Sequence, residues 1–293
     1  SKWITEADSI ETRYAPGVME YILRDAILGN GMVQVTVVAS ATHEGFLLKV
    51  TETNLPKTVD INWLFGGASG KKFHRDGDIG ADPESVFYLQ PEYCLQNTYT
   101  LAKNKFTLNF NWDQKTSKNT KTLIGTIPAG SLKLGSATAI QNPISLNNST
   151  VDSLPVVLGT VTRNASKTYY WNIENPNSIT TQDTSTTEEA FNQALDKAKI
   201  LANRVTLTTP NPYFNTLGGT LATAADAIWE SPAYLHGSVA WRMHLNAWRG
   251  AYAADVLGWH DRAKTHFSSY SKSQVLEPET GPAVLDSSRH FAR

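Results

Sequence analysis

The spacing of apolar residues changes character near Thr180, and that change limits the architectures open to the chain. Before it, apolar and polar residues alternate. "GMVQVTVVAS" sets Val33, Val35 and Val37 against polar neighbours, "TVDINWLFGG" does so with Val59, Ile61, Trp63 and Phe65, and "TLNFNWD" with Leu108, Phe110 and Trp112. A period of two is the mark of a half-buried strand. "SLKLGSA", "PVVLGTVTRN" and "KTYYWNIEN" add three more candidates. Turn residues separate them: Gly29-Asn30-Gly31, Asn54-Leu55-Pro56, Pro128-Ala129-Gly130 and Gln141-Asn142-Pro143. With no helical pattern between the strands, parallel βαβ units are disfavoured and an antiparallel β-sandwich is expected.

After the polar run "TTQDTSTTEE" the period becomes helical. Ser185 and Glu188 have capping-box spacing. Phe191, Ala194, Leu195, Ala198, Leu201, Ala202 and Val205 follow on one face. Pro210 and Pro212 interrupt, and Leu217, Leu221, Ala224, Ala225 and Ile228 mark a second helix. Helices are expected near 187–204, 217–230, 249–257 and 259–273, with Gly258 as a C-terminal stop.

The stretch "YLHGSVAWRMHLNAWRGAYAADVLGWHDRA" concentrates three tryptophans, three arginines, three histidines and two aspartates between Tyr234 and Ala263. Trp241, Leu245, Trp248 and Tyr252 have helical spacing, but Pro232, Gly237 and Gly250 argue for a broken segment around 231–248. Broken segments point side chains in several directions, as clefts require. Tryptophan faces stack on the C–H faces of sugar rings, and arginine forks and Asn246 read hydroxyl pairs or a carboxylate. The candidate binding set is therefore His236, Trp241, Arg242, Asn246, Trp248, Arg249 and Tyr252. The competing reading makes Trp241, Trp248 and Trp259 core residues, with Arg242 and Arg249 paired to Asp255 and Asp261. Glu230 and Asp255 are weak catalytic candidates. Asp255 is better suited to orienting Arg249 or capping a helix, and no two carboxylates here stand out as a general acid and base. His236, His244 and His260 lack zinc spacing, and the last two read as structural.

The loop "HRDGDIGADPES" gathers Asp76, Asp78, Asp82 and Glu84. Calcium takes such oxygens, but Gly80 at the fifth position and Phe87 at the twelfth break the EF-hand pattern. An ordered loop whose carboxylates accept backbone N–H groups and pair with Arg75 is the favoured reading. No metal or other cofactor is expected.

Composition narrows the partners. A formal net charge of −1 offers nothing to attract nucleic acid or anionic lipid. No apolar run approaches the ~20 residues of a membrane span. Cys94 is the only cysteine, which excludes intrachain disulfides and cysteine-rich metal sites. Sequons start at Asn147, Asn148 and Asn164, a weak motif. Eight tryptophans and eleven tyrosines suit flat apolar ligands such as sugars, although any single one more often fills a core.

Two segments carry a family resemblance. "KKFHRDGDIGADPESVFYLQPEYC" resembles a signature of the domain of unknown function 4450 family. "AYLHGSVAWRMHLNAWRGAYAADVLGWHDRA" resembles the opening of the (α/α)6 toroid of bacterial glycoside hydrolases. The resemblance implies an N-terminal β super-sandwich over 1–184, a linker helix over 185–210, and the first helices of an incomplete six-hairpin toroid over 211–293. It implies a carbohydrate-active enzyme, acting on an oligosaccharide or polysaccharide in the periplasm or outside the cell. A toroid needs about twelve helices and the sequence supplies three or four. With no initiator Met at one end and no closing helix at the other, the chain is expected to be a fragment, inactive alone, whose partner is the remainder of the same polypeptide. The alternative is a non-catalytic carbohydrate-binding or structural module.

Overall fold

A computed structural model describes residues 1–69, 88–111, 120–178, 185–237, 244–245 and 249–272. The chain divides into two units, Ser1–Thr223 and Ala224–Arg293.

The first unit opens with strands β1 (Ser9–Ala15), β2 (Val18–Arg24), β3 (Met32–Ala39), β4 (Gly45–Thr53) and β5 (Asn62–Phe65). It continues with β6 (Thr98–Ala102), β7 (Lys105–Asn111), β8 (Thr120–Thr126) and β9 (Gly130–Ser136). A short helix α1 (Pro143–Asn148) precedes β10 (Pro155–Val161) and β11 (Thr168–Glu174). Helix α2 (Thr187–Ala202) follows, and α3 (Pro212–Ala227) crosses the boundary between the units. Eight strands form one sheet in the order β1-β2-β3-β4-β11-β8-β7-β6, and β5-β10-β9 form a second. Every pairing is antiparallel.

The two sheets enclose the main core. Val50, Phe106, Leu108, Trp171 and Ile173 of the large sheet meet Trp63, Phe65, Val157 and Val161 of the small one. Trp63 stacks on Phe106 with ring centres 6.2 Å apart and meets Trp171 edge-on at 6.3 Å. These tryptophans fill the core, as the plainer reading of the aromatic content requires. A Cβ at position 159 would run into the Trp63 ring, which accounts for glycine inside β10. On its other face the large sheet receives α2, whose Phe191, Ala194 and Ala198 pack on Val38 and Leu47. The architecture is the expected sandwich followed by helices.

Three local expectations are corrected. The capping box of α2 uses Thr186 and Glu189, one residue later than expected: the Thr186 N–H donates to Glu189 Oε2 (2.7 Å) and the Glu189 N–H to Thr186 Oγ1 (3.2 Å). Pro212 begins α3, because proline suits the first helical position and the Asn211 side chain accepts the Tyr213 N–H at 2.9 Å. Asn142-Pro143 is likewise a helix start, with Asn142 Oδ1 accepting the N–H groups of Ile144 and Ser145.

In the second unit, β12 (Trp229–Glu230) and β13 (Ala233–Tyr234) form a small hairpin. Helices α4 (Arg249–Val256) and α5 (His260–Ser271) follow. Gly258, between them, has φ +78°, a conformation that favours glycine and ends α4 as expected. No helix among the described residues is long and apolar enough to cross a membrane.

Candidate functional site

The aromatic and charged residues of the second unit converge on Tyr234, which is fully buried. Its N–H donates to Nδ1 of the buried His266 at 3.0 Å, so the neutral imidazole carries its proton on Nε2. Its carbonyl accepts the Leu245 N–H at 2.8 Å. The Tyr270 hydroxyl donates to the Leu245 carbonyl. The stretch around 244–245 is thereby tied to both β13 and α5.

Arg262 lies beside this centre. Its guanidinium sits 4.6 Å from the Trp259 ring centre and 5.7 Å from that of Trp229, and its Nη1 is 2.8 Å from Asp226 Oδ1. An arginine between two indoles and held by a carboxylate is a preorganised fork. Burial raises the Tyr234 phenol above its ordinary range, and neighbouring Arg262 opposes that shift.

Helix α4 packs through its smallest residues. Gly250, Ala251 and Ala254 are buried, and a Cβ at position 250 would strike the Tyr234 side chain. Gly250 therefore permits close approach inside a helix, and Arg249 starts α4 despite the glycine beside it. The consequence is an outward face carrying Arg249, Tyr252, Asp255 and Val256, all exposed, with Tyr252 at 61%.

Among the expected binding residues, Arg249 and Tyr252 share this face of α4, one turn apart. His236 is exposed just beyond β13. Trp241, Arg242, Asn246 and Trp248 lie outside the described residues, as do Asp76, Asp78 and Asp82. Glu230 sits on β12 and not at a helix end, because the chain leaves α3 at Ala227 to form the hairpin. Asp255 bonds to His260 Nδ1 at 2.6 Å, joining α4 to α5. Both carboxylates are exposed, without the apolar surroundings that suit a proton-donating carboxyl. Among the described residues no three His, Cys, Asp or Glu side chains converge as a metal site.

The sequence reading missed Asp226, Tyr234, Arg262 and His266 as organising residues. The spacing of Ala263, His266 and Tyr270 on one face of α5 was the available signal. An open groove of about 510 Å³ runs along α5, lined by Pro232, Asp261, Lys264, Thr265, Ser268 and Lys272. Another, of about 450 Å³, lies in the sandwich by Glu52, Lys57, Asp60 and Arg163. There Arg163 Nη2 meets Glu52 (2.7 Å) and the Leu55 carbonyl, and its Nη1 donates to the carbonyls of Pro56 and Val59, so Arg163 clasps a loop.

A two-layer antiparallel sandwich thus leads into helices, with an aromatic and basic cluster in the second unit. The sequence profile of the family described as "Domain of unknown function (DUF4450)" matches residues 1–195, two thirds of the chain. The chain belongs to the DUF4450 family. It is similar in fold to a bacterial glucoamylase whose crystal structure was determined in complex with acarbose. That match has a TM-score of 0.51 at 8% identity, and covers 90% of this chain and 42% of the glucoamylase. The chain thus spans less than half the length of that structure. No curated protein matches the sequence.

Proposed function

We propose that the chain forms the sandwich and the opening helices of a carbohydrate-active enzyme of the glycoside hydrolase type, acting on an oligosaccharide or polysaccharide. The observation that carries this reading is the glucoamylase likeness, which runs over 90% of the chain and so takes in the sandwich and the helices together. The acarbose bound in that structure makes an oligosaccharide the ligand class to test first. In this reading residues 1–184 are the super-sandwich, 185–210 the linker helix, and 211–293 the first helices of an (α/α)6 toroid. The exposed face of α4, with Arg249 and Tyr252, lines the cleft together with His236, Trp241, Arg242, Asn246 and Trp248. Catalytic carboxylates come from helices that follow in the whole polypeptide, since Glu230 and Asp255 are both exposed and Asp255 is held by His260. The place of action is the periplasm or the cell exterior, where polymeric sugars are met.

Product release from a panel of oligosaccharides tests the reading. The whole polypeptide should hydrolyse at least one of them, and the 293-residue chain alone should not. Turnover by the 293-residue chain, abolished by a substitution within it, would place the acid and base among the residues described above.

A further inference from the structure

Strand β1 is the edge of the eight-stranded sheet, and all seven of its residues are exposed. Edge strands are commonly protected by charged side chains, proline, a bulge or a covering element. Among the described residues β1 has no proline, bulge or covering element, and its two charged side chains, Glu11 and Arg13, are of opposite sign. It pairs with β2 without interruption, from Ser9 opposite Arg24 to Ala15 opposite Val18. Among the described residues nothing pairs with its outer edge. Ile10 and Tyr14 are large apolar side chains left 41% and 48% exposed on it.

The sequence of β1, Ser-Ile-Glu-Thr-Arg-Tyr-Ala, is complementary to itself. Placed antiparallel to a second copy about a two-fold axis at Thr12, it sets Glu11 opposite Arg13 twice, Ile10 opposite Tyr14 twice, and Thr12 opposite Thr12. These are the opposite-charge, aromatic with β-branched, and threonine pairs that stabilise neighbouring strands. The hydrogen-bonding groups agree with that register. Ala15 and Val18 close a two-residue loop, Pro16-Gly17, and such a closing pair exchanges hydrogen bonds. Residues 9, 11, 13 and 15 therefore direct their backbone groups to β2, and Ile10, Thr12 and Tyr14 direct theirs outward. A two-fold axis at Thr12 brings those outward groups together. In the single chain Arg13 lies 2.7 Å from Glu11 and 3.7 Å from Glu20, so the charges that would meet their counterparts already stand side by side along this edge.

We propose that β1 is a dimerisation edge at which two copies of this chain join their large sheets, antiparallel, about Thr12. This is independent of any sugar-binding role. Light scattering and sedimentation of the chain over a range from about 10 µM to about 1 mM should show reversible growth to twice the chain mass, as a weak pairing would give. Arg13→Glu and Glu11→Arg should each weaken association by roughly tenfold or more, since each sets like charges opposite in two places. The double exchange, Glu11→Arg with Arg13→Glu, should restore it. Thr12→Pro removes an outward N–H only and should give a monomer with an unchanged circular dichroism spectrum. A wild-type chain that stays monomeric throughout that range would overturn the proposal. So would a dimer indifferent to the single reversals, or one that the double exchange fails to restore while all variants fold.

Discussion

Glu52 shows how much a single buried charge asks of its surroundings. It is 3% exposed, takes the Tyr169 hydroxyl at 2.9 Å, and faces Arg163 at 2.7 Å. Removing one partner of such a pair leaves a charge buried without compensation, which costs about 3–5 kcal/mol. Arg163→Ala should therefore lower stability by about that much in denaturant titration, and the loop carbonyls of Leu55, Pro56 and Val59 lose their donor as well. Glu52→Gln leaves the Arg163 cation without its carboxylate, but that side chain is 22% exposed and keeps its three loop carbonyls, so the change should cost less. Asp25 gives the pH dependence. The Lys2 ammonium, followed by the Ile27 N–H, holds its carboxyl down at about 2, from an ordinary 3.8. The unfolded chain thus takes up this proton first on acidification. The stabilisation is fully present above about pH 4 and is lost as the pH falls through 2. Melting temperature should drop across that window, and Asp25→Asn should remove the part of the drop that Asp25 causes.

At the scale of elements, helix α4 turns on one glycine. Alanine at position 250 is the better helix former by about 1 kcal/mol. Its methyl group meets Tyr234, however, and overpacking a filled site costs about 1–3 kcal/mol. Gly250→Ala should therefore destabilise the second unit, and a higher melting temperature would disprove the close approach. The same contrast explains what could be read from sequence. β7 and β9 were legible because one face is buried and the other partly open. β4 was not, because Leu47 packs on α2 while Leu48 faces the other sheet, so the apolar run does not alternate. β1 was invisible for the opposite reason, having no buried face at all. In the second unit, α4 was legible, from its start at Arg249 to the glycine stop at Gly258. Asp226 and His266 were not, since contacts across 36 and 32 residues of chain create their roles and no local pattern reports them.

The chain runs from an antiparallel sandwich into a small helical unit whose apolar residues are partly turned outward, Tyr252 and Val256 among them. The proposed enzyme cleft and a plain binding module differ in whether the helices meet ligand. The outward face of α4 is the surface proposed to meet sugar. Calorimetric titration of the whole polypeptide with acarbose and related oligosaccharides, with thermal melts run alongside, tests it most directly. Arg249→Lys keeps the charge and removes the fork, and Tyr252→Ala removes a ring that is 61% exposed. The account predicts that each variant loses affinity by about tenfold or more, as loss of one good contact implies, with melting unchanged. Wild-type affinity in both variants, or no sugar binding by the wild-type polypeptide, would contradict it.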